Sequence, residues 1–167
     1  MVDSVVIMGV AGCGKSSLGA ALAQSLNLSL LEGDDRHSAA SRDKMRQGIA
    51  LTDADRAGWL DELASELRAR PAGLVLTCSA LRRAYRERLR LAAPGLRFIY
   101  LEISRDEALA RVASRSSHFF SASLVDSQFA TLEPPLGEPG VLRLDASDAL
   151  PLLQSAAATW LLAREAA

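Results

Sequence analysis

The chain has 167 residues, near the ~150 of one typical domain, and its 19 basic and 20 acidic side chains leave a formal net charge of -1. That balance argues against a nucleic-acid binder or membrane tether that works through a basic surface, and no apolar run approaches the ~18 residues of a membrane span. Met1 leads straight into a strand pattern with no basic n-region or long apolar h-region, and Cys13 and Cys78 lie far apart with no CxxC spacing. A cytoplasmic protein with two unpaired thiols is therefore expected.

In chain order, Ser4 to Met8 is short, β-branched and followed at once by glycines, and reads as a buried strand. Ser16 to Leu26 repeats apolar residues at helical spacing. A second strand around Ser29 to Leu31 runs into the acidic loop Glu32-Gly33-Asp34-Asp35. A helix follows near Ser41 to Arg46, and after the turn at Gly48 a longer one begins behind Thr52, an N-cap with Asp55 three residues on, and runs to about Arg70. Gly73 to Thr77 is a third strand, Ala80 to Ala92 a very basic helix, Arg97 to Ile103 a fourth strand, and Asp106 to about Ser114 a helix. The least regular stretch, Arg115 to Gly140, contains a short helix and the Pro134, Pro135 and Pro139 cluster, as expected of a lid. Leu142 to Leu144 and Ala149 to about Arg164 close the chain as strand and helix. This alternation predicts a single α/β domain over 1–167: a three-layer fold with a parallel five-stranded sheet flanked by helices, a helical segment over about 36–60 and a small lid over about 112–140.

Gly9-Val10-Ala11-Gly12-Cys13-Gly14-Lys15-Ser16 matches GxxxxGK[ST] between a predicted strand and a predicted helix. Glycines let successive backbone N–H groups turn toward phosphate oxygens, and the helix N-terminus adds a favourable dipole. The nucleotide-binding set is Gly9, Ala11, Gly12, Cys13, Gly14, Lys15, Ser16 and Ser17. Lys15 is expected on the β- and γ-phosphates, and the Ser16 hydroxyl on Mg²⁺. Only Lys15 and Lys44 among the 19 basic residues are lysine in an otherwise arginine-based chain, and a compact ammonium is not interchangeable with a guanidinium. The loop indicates ATP binding and leaves the phosphoryl acceptor open.

The segments MGVAGCGKSS, EGDDRH, KMRQGIALTDADRAGWL, CSALRRAYRERLR, HFF and SQFATLEPP resemble, in order and spacing, the small P-loop gluconate kinases. The resemblance covers about the first four fifths of the chain. It implies a shikimate-kinase-like fold, ATP- and Mg²⁺-dependent phosphorylation of D-gluconate at its 6-hydroxyl, and a homodimer, with no nucleic-acid or membrane partner. The chain departs from the family pattern at Ser38, Ser41, Gly58 and Ser117. Another polyol acid or shikimate-like acceptor, or a non-catalytic ATP sensor, is the alternative reading.

A kinase acceptor hydroxyl needs a group to take its proton and a fixed line of attack on the γ-phosphoryl. Asp34, after the second strand, is the candidate base, and Glu32 or Asp35 the candidate Mg²⁺ carboxylate. A sugar acid needs cations and hydrogen-bond donors, and the candidates are His37, Lys44, Arg56, Ser79, Arg82, Arg86 and His118. Arg111 and Arg115, four apart on a helix, are the candidate lid arginines that close positive charge over the phosphates.

Overall fold

The computed structural model describes residues 3–114 and 121–163. Strands β1 (Val5–Met8), β2 (Ser29–Glu32), β3 (Leu74–Thr77), β4 (Arg97–Glu102) and β5 (Val141–Asp145) pair in parallel, in the order β2-β3-β1-β4-β5. Parallel neighbours need crossover connections. These carry the helices α1 (Lys15–Leu26), α2 (Ala39–Arg46), α3 (Asp53–Ala69), α4 (Arg83–Ala92), α5 (Arg105–Ser114) and α6 (Ala122–Thr131), while α7 (Leu150–Leu162) follows β5.

Side chains alternate across the sheet with period two. Val5, Ile7, Val75, Ile99 and Leu101 join one buried cluster with Leu18 and Leu22 of α1 and Ala157 and Leu161 of α7. Val6, Met8, Leu74, Leu76 and Phe98 join the other with Leu60, Leu63 and Leu67 of α3 and Leu89 of α4. Both faces are thus covered, which is why the central strands read as unbroken apolar runs. Each leucine buried this fully contributes about 2 kcal/mol.

Local chemistry sets the element ends. Thr52 and Asp55 form a complete capping box at the start of α3, as the sequence predicts. Ser38 caps α2, its hydroxyl accepting from Ser41 N–H, so a residue that departs from the family pattern supplies a helix start of its own. Two expectations are corrected. The acidic stretch after β2 is a single 3-10 turn over Gly33–Arg36 rather than an open loop. The basic helix begins at Arg83, three residues later than expected, because Ala80 takes a left-handed φ of 47° and Arg82 is extended. Arg86 holds that unfavourable turn by donating from Nη1 to the Ala80 carbonyl at 2.7 Å.

Candidate active site

The phosphate loop leaves the C-terminal end of β1 at the centre of the sheet and enters α1. Gly9 has φ 147°, and a Cβ there would stand 2.7 Å from Cys13 Sγ and 2.9 Å from the Leu101 carbonyl oxygen, so only glycine fits. Gly14 (φ 97°) hands the chain into α1 without a capping side chain. Lys15 Nζ donates to the carbonyls of Gly9 (2.9 Å) and Val10 (3.1 Å), which bends the loop around its own cation. Ser16 and Ser17 are exposed on the first turn of α1. Arg111 reaches the loop from α5, donating to Gly12 O at 3.3 Å and to Ala146 O at 2.8 Å.

Beside the loop is a compact group of hard oxygen donors. Ser16 Oγ and Glu32 Oε2 are 3.0 Å apart, and Thr77 Oγ1, at the end of β3, donates to the same carboxylate oxygen at 2.5 Å. Close packing of strand ends makes this possible: a Cβ on Gly33 would sit 2.3 Å from the Thr77 carbonyl oxygen. One carboxylate and two hydroxyls suit Mg²⁺, which is usually held by one or two protein oxygens together with substrate phosphates. Thr77 is not among the residues the sequence marks for the site, because its place beside Glu32 depends on the pairing of β2 with β3.

An open pocket adjoins the loop, and Asp34, His37, Arg56, Trp59, Ser79 and Gln128 are among its lining residues. Two hydrogen bonds tie it to the phosphate loop: Gly9 N–H donates to Ser79 O at 3.3 Å, and Ala11 N–H to Gln128 Oε1 at 2.7 Å. Asp34 is exposed at the rim, its Oδ1 3.7 Å from His37 Nε2. The His37 ring stacks on Trp59 with centroids 4.3 Å apart, and Trp59 is itself fixed by Nε1–H donating to Gly33 O at 2.7 Å. Burial pushes the His37 pKa below its ordinary value; Asp34 opposes the shift, and Arg56 and Arg42 reinforce it. The imidazole is therefore neutral at pH 7, and its buried Nδ1 has no protein partner among the described residues. Arg56 is the cation of this lining; its Nη1 donates to Leu51 O at 2.9 Å. Trp59 and Gln128 also line the pocket, and neither is among the residues the sequence marks for the site.

Asp34, His37, Arg56 and Ser79 thus converge on one pocket. Of the other expected acceptor residues that are described, Lys44, Arg82 and Arg86 are not in this lining. Arg86 is fully buried, with Nη2 2.6 Å from Glu138 Oε2 and further bonds to the Ala80 and Glu133 carbonyls. It is a brace between α4 and the segment before β5, since an unpaired buried guanidinium would be prohibitive. Arg82 stands 3.8 Å from Asp53 and outside the lining. Lys44 grips Asp55 with contacts of 3.0 and 2.8 Å, so it ties α2 to the capping box of α3. Arg115 and His118 lie outside the described residues.

The Lys44 finding carries a prediction. The Lys44 ammonium, with the Thr52 cap, holds the Asp55 carboxyl down at about 2, against an ordinary value of 3.8. A depressed folded-state pKa contributes stability that is complete above 3.8 and lost as pH falls toward 2. Lys44→Ala should therefore lower stability at neutral pH by about 1 kcal/mol or less and flatten the acid limb of a Tm-against-pH curve. The acceptor KM should stay unchanged, and a rise of tenfold or more would return Lys44 to the pocket.

A Gly9–Ser16 phosphate loop at the centre of a parallel sheet, with a pocket that carries Asp34 and is hydrogen-bonded to its backbone, defines a P-loop kinase. Residues 5–135 match the family model described as an AAA domain. A gluconokinase of Gluconobacter oxydans is 44% identical over 144 residues, 84% of this chain and 80% of that protein. Among solved structures, a gluconokinase of Sinorhizobium meliloti superposes with a TM-score of 0.88 at 40% identity, over 95% of this chain and 91% of that one. A sugar kinase of Janibacter sp. superposes with a TM-score of 0.91 at 37% identity, over 96% and 95%. The chain belongs to the gluconokinase family. No described helix is long and apolar enough to cross a membrane.

Proposed function

We propose that the protein transfers the γ-phosphoryl group of ATP to the 6-hydroxyl of D-gluconate, giving 6-phospho-D-gluconate and ADP. The observation that carries this reading is the pocket holding Asp34, His37 and Arg56 and hydrogen-bonded to the phosphate loop through Ser79 and Gln128. The similarity to gluconokinases of Gluconobacter oxydans and Sinorhizobium meliloti supports gluconate as the acceptor.

Lys15, together with the loop amides of Gly12 and of Gly14 to Ser17, binds the phosphates, and Arg111 adds charge from α5. Asp34 accepts the proton of the attacking hydroxyl as its oxygen forms the new bond to phosphorus and the bond to the ADP oxygen breaks. Arg56 takes the gluconate carboxylate, and neutral His37 hydrogen-bonds a chain hydroxyl through its unpartnered Nδ1. Ser16, Glu32 and Thr77 would supply the oxygen donors for Mg²⁺. Held there, the ion would supply positive charge against the phosphates during transfer. In this reading residues 36–60 are the acceptor-binding segment of one 1–167 domain, residues 112–140 with Arg115 and His118 are its lid, and the active form is a cytoplasmic homodimer.

Purified protein with ATP and Mg²⁺ should release ADP on addition of D-gluconate, and far less with shikimate, glucose or AMP. Sedimentation velocity on the same preparation reads the dimer. Equal release with unrelated acceptors, or none with gluconate, would overturn the assignment.

A further inference from the structure

The family resemblance rests partly on SQFATLEPP, whose Ser127 and Gln128 line the acceptor pocket. Gln128, its glutamine, lies on α6, more than a hundred residues from the phosphate loop in sequence. Its side-chain oxygen nevertheless accepts from Ala11 N–H at 2.7 Å, while the residue also lines the acceptor pocket. That bond settles the orientation of the carboxamide. A backbone N–H can donate only to an acceptor, so the atom facing Ala11 is the carbonyl oxygen and the NH₂ group is at the other branch. Both protons of Nε2 are left to donate, and no protein acceptor takes them among the described residues.

We propose that Gln128 is a positioning and specificity residue for the acceptor. Anchored by Oε1 to the loop that holds the phosphates, it donates from Nε2 to a hydroxyl of the polyhydroxy acid and thereby sets the acceptor relative to the phosphoryl group. The inference rests on the gluconate reading. Its physical basis is that one rigid planar amide contacts both reactants, so an acceptor that fails to meet Nε2 loses alignment as well as a hydrogen bond. Small errors of alignment are expensive in phosphoryl transfer, where catalysis is mostly positioning. The pairing also makes a glutamine necessary at this position: a carboxylate could accept from Ala11 but not donate, and an aliphatic side chain could do neither.

Two variants separate the two ends of the amide. Gln128→Met is unbranched and similar in size and removes both hydrogen bonds. It should raise the gluconate KM about tenfold, the scale of one neutral hydrogen bond, and lower kcat, with ATP affinity within about twofold of wild type by direct titration. Gln128→Glu keeps an acceptor for Ala11 N–H but no donor, and its gluconate KM should rise at least as far. A wild-type gluconate KM and kcat in Gln128→Met overturns the proposal. So does full recovery of the gluconate KM in Gln128→Glu, which would make Gln128 a brace for the loop alone. Wild-type protein without gluconate-stimulated ADP release overturns the gluconate reading and this inference together; active wild type with unaffected variants overturns this inference only.

Discussion

Lys15→Ala should reduce gluconate-dependent turnover by on the order of 10³ or more, the scale at which a cation on a transferring phosphoryl group operates. The substitution removes the point charge expected to follow the phosphoryl group from ATP to its acceptor. It also removes the two bonds that draw the Gly9 and Val10 carbonyls together, so ATP affinity should fall as well. No second lysine can stand in: Lys44, the only other one in the chain, is committed to Asp55. The fold should survive, because the sheet beneath the loop is held by the Val5–Met8 register on both sides and not by Lys15. Steady-state kinetics beside a thermal melt checks both parts. Turnover within tenfold of wild type in a folded variant would mean that the phosphates are held elsewhere.

Asp34→Asn should lower turnover by about 10²–10⁴, the usual worth of a general base, with ATP binding preserved. Asparagine keeps the size of the side chain and an accepting oxygen, but it cannot take the hydroxyl proton. The carboxylate lines the pocket and its Oδ1 is 3.7 Å from His37 Nε2, so the neighbouring imidazole should stay in place and isolate the effect to proton transfer. Asp35→Asn is the internal control. Asp35 is adjacent in the 3-10 turn but is not among the lining residues, and its loss should change kcat by less than about threefold, as expected for a surface substitution. A sensitive Asp35 beside a tolerant Asp34 would shift the catalytic assignment by one residue.

Much of this protein follows from local sequence alone. The buried β1 run, the glycine loop and the Thr52–Asp55 box each depend on residues a few positions apart, and steric limits on φ, phosphate-loop geometry and helix capping act at that range. The strand-helix alternation, with unbroken apolar runs on the central strands, likewise determines the α/β class. What tertiary structure decided is where long side chains end. Lys44, Arg82 and Arg86 have the right charge for a sugar acid, but a flexible cation takes the best carboxylate or carbonyl within reach, and for two of them those partners are Asp53 and Glu138, 29 and 52 residues away. The same dependence hid Thr77 and Gln128, whose polar atoms gain meaning only when β3 is laid beside β2 and α6 beside the phosphate loop. Asp34, His37, Arg56 and Ser79 meet in one pocket because the parallel sheet sets the C-terminal ends of β2, β3 and β1 side by side in that order, a proximity set by strand order and not by separation along the chain.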